Sequence, residues 1–369
     1  MTTMTTVAPL VITGCGVVSP AGVGLEPLAG AMSGGGCEEA DLEAIGGEFP
    51  PMPLAATPDL RPEEYLGRKG IRSLDRTTQL ALVASNRALA GLGAPLADQD
   101  RARTGVVIGT STGSIRSSSE FSRETLVREK PYLVRASFFP NSVMNFCASQ
   151  IAIWNALRGV NATIADGRVS GLAAVRYARN AIVQGHVDRA LVGAVEELCP
   201  QSAWAWYLSG ALTPAAAVGE GAAVFVVETS EGAAAAGRAP LAELLACEVG
   251  TLGMSDVRRG LAVCVERALR RSGVPGEAVT AVSLSATGLR GLGAAEEDGV
   301  RGALGALPPH QIRTAALMGE SFSASGALQI AGLLAGWRAN GAAMGPVALV
   351  TSVGDDGNVG CLVVRRPAL

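Results

Sequence analysis

The longest patterned stretch of the chain runs from residue 161 to residue 195. An apolar, β-branched run from Thr163 to Ala165 is followed by a small-residue turn from Gly167 to Gly171. A helical repeat of apolar positions comes next, and a second apolar run, Ala190 to Val195, closes the stretch. This order predicts a strand, a tight turn, a helix and a second strand. We interpret the stretch as a βαβ unit.

A second stretch near the C-terminus repeats this pattern. The matching segments are 170–171 with 325–326, 190–192 with 348–350, and, more roughly, 219–227 with 356–364. The long period and the βαβ content favour two equivalent α/β halves over a solenoid. We expect the halves to span residues 1–235 and 236–369, with the Ala- and Gly-rich segment 229–239 connecting them.

The same periodicities predict further elements in both halves. The predicted strands are residues 7–16, 104–109, 222–228, 241–249 and 281–285, and the predicted helices are 74–92, 138 to about 157, and 257–271. Asp75 near the start of the first of these helices, and Gly91 and Gly93 near its end, are typical helix boundary residues.

Composition and charge exclude several classes of function. The chain has 369 residues, of which 48% are hydrophobic, and a net charge of -3, so it has no general basic surface for nucleic acid. No apolar run reaches the roughly 20 residues that a membrane span needs, and the N-terminus lacks the pattern of a signal peptide. We expect a cytoplasmic protein that binds neither nucleic acid nor membrane.

The seven cysteines are an odd number, lie far apart and form no Cys-x-x-Cys motif. This spacing favours reduced, mostly buried thiols over a disulfide framework. Only two histidines, His186 and His310, are present, and both fall in segments that we interpret as polar loops. We therefore expect no metal site.

One short motif is compatible with a hydrolase function. Ser111 lies in a Gly-Thr-Ser-Thr-Gly segment directly after a predicted strand, which has the form of a nucleophile elbow. His310 lies far enough downstream to be the base of a catalytic triad. The motif is short and common, however, and the duplicated pattern is not that of a hydrolase sheet.

Four segments resemble the β-ketoacyl synthase family. They are Val11-Ile-Thr-Gly-Cys-Gly-Val-Val-Ser-Pro, Leu157-Arg-Gly-Val-Asn-Ala-Thr, Asp188-Arg-Ala-Leu-Val-Gly-Ala-Val-Glu and Val218-Gly-Glu-Gly-Ala-Ala-Val. The resemblance covers essentially the whole chain. It implies a thiolase-like α/β fold of five αβαβα layers, made from two duplicated halves.

The chain departs from this family at every catalytic position. Arg168 stands where the family has its nucleophilic cysteine, and an arginine cannot attack a thioester. Glu320 replaces the second family histidine, and the segment from Ser285 matches the loop of the first. The oxyanion loop matches residues 354–357, where Asp355 and Asp356 would repel a developing oxyanion. We expect Glu320 or Asp355 to pair with Arg168, because an unpaired buried guanidinium would be costly.

One branch of the family lacks the nucleophile in this way: the chain length factor, the inactive partner of an active ketosynthase in type II polyketide synthases. That branch commonly has glutamine rather than arginine at this position. The resemblance implies that Ile115, Ser118 and Ser122 line the end of the acyl tunnel, and their modest size suits an extended, reduced or polyenic chain.

The resemblance also implies the partners of such a subunit. The strand that includes Ala162, Thr163, Ile164 and Ala165 would pair with the cognate β-ketoacyl synthase in a heterodimer. An acyl carrier protein would deliver the polyketide acyl chain on its phosphopantetheine arm, and no cofactor beyond that arm is implied. The alternative is an acyltransferase or hydrolase that acts alone, through Ser111 or through a displaced nucleophile such as Cys147.

Overall fold

The computed structural model describes residues 9–37, 42–136, 138–251 and 256–368. The strands are β1 (Leu10–Ser19), β2 (Gly22–Val23), β3 (Leu54–Ala55), β4 (Thr104–Gly109), β5 (Asn161–Ile164), β6 (Arg189–Glu196), β7 (Val218–Gly219), β8 (Gly221–Thr229), β9 (Ala242–Thr251), β10 (Ala281–Ser283), β11 (His310–Ile312), β12 (Val347–Val353) and β13 (Asn358–Arg365).

The helices alternate with these strands along much of the chain. They are α1 (Leu25–Gly30), α2 (Pro62–Leu66), α3 (Arg76–Ala90), α4 (Asp98–Ala102), α5 (Ile115–Val127), α6 (Phe138–Asn141), α7 (Phe146–Trp154), α8 (Ser170–Val183), α9 (Pro200–Ser209), α10 (Ser230–Ala235), α11 (Val257–Ser272), α12 (Leu292–Leu304), α13 (Thr314–Met318) and α14 (Ser325–Asn340).

The strand order of the large sheet is repeated. Along it the order is β11-β10-β12-β13-β9-β1-β8-β6-β4-β5, so the two halves meet where β9 pairs with β1. Counted outward from that junction, each half has two antiparallel pairings followed by two parallel ones. The predicted duplication is confirmed in the sheet. The boundary at residues 235 and 236 stays a prediction.

Helices complete five layers. α8 and α14 lie between the two sets of strands, where α8 contacts β4, β6 and β9 and α14 contacts β8 and β12. α3 covers β1 and β8 on one outer side, and α11 covers β9 and β13 on the other. Every residue of α14 from Ser325 to Trp337 is buried, as expected for a helix in the central layer. This confirms the predicted αβαβα architecture.

The structure differs from the sequence prediction in three places. The helix predicted from residue 138 to 157 is two helices, α6 and α7, and at the break between them Ser142 O accepts from the Ser118 hydroxyl of α5 over 3.3 Å. The connection at 229–239 contains α10, whose start is capped by Thr229. His310 begins β11 beside Ala281 instead of lying in a loop.

Most predicted elements are present with small shifts at their ends. Asp75 caps α3 as predicted, since its carboxylate accepts from Thr78 N over 2.8 Å. Within the described residues, no helix is both long and apolar enough to cross a membrane.

Candidate functional site

The turn between β5 and α8 forms the centre of the candidate site. Gly167 has a φ of +51°, a conformation that residues with a side chain rarely adopt. The hydroxyl of Ser170 accepts from Asp166 N over 2.8 Å and donates to Gly167 O over 2.6 Å. These bonds close the turn, and Arg168 is thereby directed into the protein.

Arg168 is almost completely buried, with a relative exposure of 2%. Its guanidinium forms an ion pair with Glu320, which lies between α13 and α14 and is equally buried. Nε donates to Val353 O over 2.9 Å and Nη2 donates to Ser285 O over 2.9 Å. We name these four residues, Arg168, Ser285, Glu320 and Val353, the Arg168 cluster.

The cluster brings together three positions that the sequence singled out. Ser285 lies in the segment after β10, Glu320 occupies the predicted histidine position, and Val353 directly precedes the loop 354–357. The predicted pairing of Arg168 with a carboxylate is confirmed, and the partner is Glu320. Asp355 is exposed, so the alternative partner is wrong.

A second buried carboxylate fixes the Ser285 segment. Glu296 of α12 accepts bonds from Ser285 N and Ala286 N over 3.0 and 2.8 Å. It also accepts from the hydroxyls of Ser285 and Thr351 over 3.0 and 2.7 Å. Burial raises the pKa of Glu296, and the four hydrogen bonds oppose that rise. Sequence reasoning missed this residue, because its helix is otherwise an ordinary amphipathic one.

Two carboxylates lie close together beside the turn that carries Arg168. Asn358 Nδ2 donates to Asp166 Oδ1 and to Asp356 Oδ2, each over 2.9 Å, so the two carboxylates lie close together. Partial burial and the neighbouring Asp356 raise the pKa of Asp166. Asp355 and Asp356 are both exposed. A negatively charged group that approached these carboxylates would be repelled.

No thiol among the described residues is activated. Burial and, to a smaller extent, Asp75 raise the pKa of Cys147 well above its usual value. Burial also raises the pKa of Cys15 and of Cys247 to about 12. A nucleophilic cysteine needs a lowered pKa, so these residues do not suit that role.

Ser111 and His310 are not arranged as a nucleophile and its base. The Ser111 hydroxyl donates to Glu196 Oε1 over 2.7 Å. His310 lies on β11, at one end of the strand order, whereas Ser111 follows β4 near the other end.

Glu196 and Glu197 form a buried acidic pair that the sequence reasoning did not identify. Burial raises the pKa of each to about 7. Glu196 accepts from Ser111 and from the hydroxyl of Ser323, while Glu197 accepts from Ser114 Oγ over 3.0 Å at the start of α5. Two consecutive glutamates at the end of an apolar strand were the signal that could have revealed this pair.

The predicted gate residues share one face of α5. Ile115 and Ser118 are half-buried and Ser122 is exposed. Ser118 Oγ shares its hydrogen between Ser114 O at 3.0 Å, within the helix, and Ser142 O at 3.3 Å, beyond it. Leu126, one turn beyond Ser122, is 84% exposed. The opposite face carries Glu124, which holds the segment after the helix through Arg135 N over 2.8 Å.

The predicted partner strand is the outermost strand of its half. β5 pairs with β4, and within the described part of the chain its other edge is open. Ala162, Thr163 and Ile164 lie on β5, whereas Ala165 lies just beyond its end. Their role in an interface stays a prediction.

Comparisons with known proteins identify the family to which the sequence is similar. The family model for the N-terminal domain of β-ketoacyl synthases matches residues 8–235. The chain is 26% identical over 347 residues to 3-oxoacyl-(acyl-carrier-protein) synthase 2 of Vibrio cholerae, covering 87% of this chain and 84% of that protein. It is 28% identical over 367 residues to the ketoacyl synthase beta subunit of the tetracenomycin polyketide synthase of Streptomyces glaucescens, covering 89% and 85%.

Solved structures show the same relationship. The ishigamide ketosynthase/chain length factor is 34% identical, with a TM-score of 0.83 and coverage of 98% of this chain and 100% of that one. The type II polyketide synthase complex AntDE:AntF, at 20% identity, has the same fold with a TM-score of 0.81 and coverage of 98% and 100%. The fold is thus thiolase-like, and the chain belongs to the β-ketoacyl synthase family.

Proposed function

We propose that this chain is a chain length factor. It is a non-catalytic subunit that pairs with an active β-ketoacyl synthase and lines the tunnel that receives a growing polyketide chain. The observation that carries the proposal is the buried ion pair of Arg168 and Glu320, the two residues that the resemblance matches to the family nucleophile and to the second family histidine.

The chemistry of the Arg168 cluster supports a non-catalytic role. Ketosynthase chemistry needs a thiolate and a stabilised oxyanion, whereas this cluster offers a guanidinium bonded to a carboxylate and to two backbone carbonyls. Loss of the nucleophile alone costs on the order of a million-fold in rate. The carboxylates of Asp166 and Asp356, which lie close together beside the turn that carries Arg168, would also repel a phosphopantetheine phosphate that approached it.

The open edge of β5 supports a partner subunit. A strand with an unpaired edge is a ready site for pairing with another chain. Exposed apolar side chains continue this surface: α7, which contacts β5, exposes Ile153, and the preceding turn exposes Met144. Pairing across β5 would make an obligate interface of roughly 2,000 Å² or more. The similarity to the ishigamide ketosynthase/chain length factor favours a cognate ketosynthase as the occupant.

The outward face of α5 supports a role in chain length. Ile115, Ser118 and Ser122 lie on it, and their small volumes leave room for an extended, reduced or polyenic acyl chain. An acyl carrier protein would present that chain on its phosphopantetheine arm, and in AntDE:AntF such a carrier protein is in complex with its ketosynthase. No cofactor of this chain's own is required. A cytoplasmic location and the division at residue 235 remain predictions.

The test is co-expression with the ketosynthase encoded beside this chain. Native mass spectrometry should give a stable one-to-one complex, and a labelled acyl-carrier substrate should acylate only the partner's cysteine. Arg103→Ala removes an exposed ion pair with Asp188 and should leave both the mass of the complex and the acylation pattern unchanged. A monomer or homodimer that acylates or hydrolyses substrate unaided would overturn the proposal.

A further inference from the structure

The structure points to a second role for the Arg168 cluster. We propose that it positions β5 for pairing with the partner subunit, so that the disused catalytic site has become a positioning device for the interface. The inference rests on the proposed function, since it assumes that β5 is the partner strand.

The C-terminal end of β5 is held by the second half of the chain. Residues 166–170 follow the strand directly, and they receive hydrogen bonds from that half: the Ser352 hydroxyl donates to Arg168 O over 3.1 Å, and Asn358 Nδ2 donates to Asp166 Oδ1 over 2.9 Å. In return, Arg168 donates to Val353 O and Ser285 O over 2.9 Å each.

These contacts come from elements far apart in sequence. Ser285 follows β10, Glu320 lies between α13 and α14, and Val353 ends β12. The planar guanidinium is well suited to binding several acceptors at once, because its N–H groups point in fixed directions. Movement of the turn relative to the second half would leave this buried charge without its partners.

The N-terminal end of β5 is held as well. Asn161 Nδ2 donates to Ala148 O of α7 over 3.0 Å. The strand has only four residues and a single described neighbour, β4, so its own ladder is short. Bonds at both ends keep the backbone of β5 ordered before a partner binds. Preorganisation of this kind increases affinity, because less ordering remains to be done upon binding.

The test uses a double substitution that removes the charges and keeps the volume. Arg168→Met with Glu320→Met leaves no charge in the Arg168 cluster, so the chain should be more stable than with either substitution alone, although Ser285 O, Val353 O and Phe322 N lose their partners. The exposed pair of Arg365 and Glu243, replaced by methionine in the same way, is the matched control.

Two measurements follow on the full chain. Hydrogen exchange of the residue 161–165 amides should become at least about tenfold faster in the double variant, since the strand end is no longer held. Dissociation of the complex with the ketosynthase should accelerate by about tenfold, whereas the control pair should change neither quantity. Normal exchange at β5, or normal pairing in a folded double variant, would overturn the inference.

Milder variants cover the case in which the double variant does not fold. Ser352→Ala removes the bond to Arg168 O and Asn358→Ala removes the bond to Asp166, and each should raise β5 exchange by a smaller factor. Unchanged exchange in both would also overturn the inference. If the wild-type chain pairs with no ketosynthase, the proposed function fails, while the exchange experiment still decides whether the cluster holds β5.

Discussion

Ser285 donates both its backbone N–H and its hydroxyl to the same oxygen of Glu296, each over 3.0 Å. The carbonyl of Ser285 then accepts from Arg168 over 2.9 Å. Glu296 therefore fixes the segment that binds the guanidinium, although it does not contact Arg168 through any hydrogen bond described above. The Arg168 cluster depends on a carboxylate from a neighbouring helix.

Glu296→Gln should destabilise the chain by about 1–3 kcal/mol, because an amide nitrogen would face groups that all donate hydrogen bonds. Urea denaturation gives the free energy of unfolding. Glu297→Gln is the matched control, since Glu297 makes surface ion pairs with Arg301 and Arg313 that contribute little. Equal effects of the two substitutions would show that Glu296 has no special structural role.

Arg168→Met and Glu320→Met should each destabilise the chain by about 3–5 kcal/mol, since each leaves a buried charge without its partner. The double substitution by methionine should recover most of this loss. A thermodynamic cycle of unfolding free energies measures the coupling. Additive losses in the double variant would contradict the strong interaction that the ion pair implies.

Under the proposed function, Ser118→Phe and Ser122→Phe should shorten the polyketide products of the proposed heterodimer. Phenylalanine would add bulk to the face of α5 that is proposed to line the acyl tunnel. Mass spectrometry of the products provides the measurement, and Ala236→Phe, at an exposed position after α10, is the control for added bulk. Unchanged product length in an intact complex would show that neither serine limits the length of the acyl chain.

The Glu196 and Glu197 pair predicts a pH dependence of stability. Their folded pKa of about 7 lies above the usual value of 4.5, so folding binds protons. The stability that these groups contribute is fully present below about pH 4.5 and is lost as the pH rises to about 7, by at most about 3 kcal/mol for each group.

Replacing both residues by glutamine should flatten the free energy of unfolding between pH 4.5 and 7. Glu231→Gln, at an exposed position on α10, should leave the wild-type slope in place. A wild-type slope in the double glutamine variant would show that the two carboxyls titrate normally.

Arg168→Cys should not create a ketosynthase. Glu320, Asp355 and Asp356 would remain, and no histidine would lie beside the new thiol. Acyl loading from a carrier protein, followed by intact-protein mass spectrometry, should show the label on the partner alone. Acylation of this subunit would mean that the remaining parts of the site are still competent.

The sequence predicted that Arg168 pairs with either Glu320 or Asp355, because the family fold brings their loops together and a buried guanidinium needs a counter-charge. It could not predict the bonds to Ser285 O and Val353 O, since backbone carbonyls look alike at every position. Glu296 was missed for a related reason: its four donors come from two separate segments that are adjacent only after folding.

The strands and long helices were predictable, because buried apolar runs and a 3.6-residue period mark them clearly. The break between α6 and α7 was not. It depends on Ser142, whose carbonyl accepts from the hydroxyl of Ser118 over 3.3 Å on a different helix. A tertiary contact of this kind leaves no periodic signal in the sequence.

The open edge of β5 has a practical consequence for producing the protein. A strand with unpaired backbone groups beside exposed side chains such as Ile153, which is 69% exposed, is prone to aggregation when its partner is missing. Surplus chain should therefore accumulate in inclusion bodies, and the soluble yield should follow the supply of ketosynthase. Matched synthesis of the two subunits would then be a requirement of solubility as well as of activity.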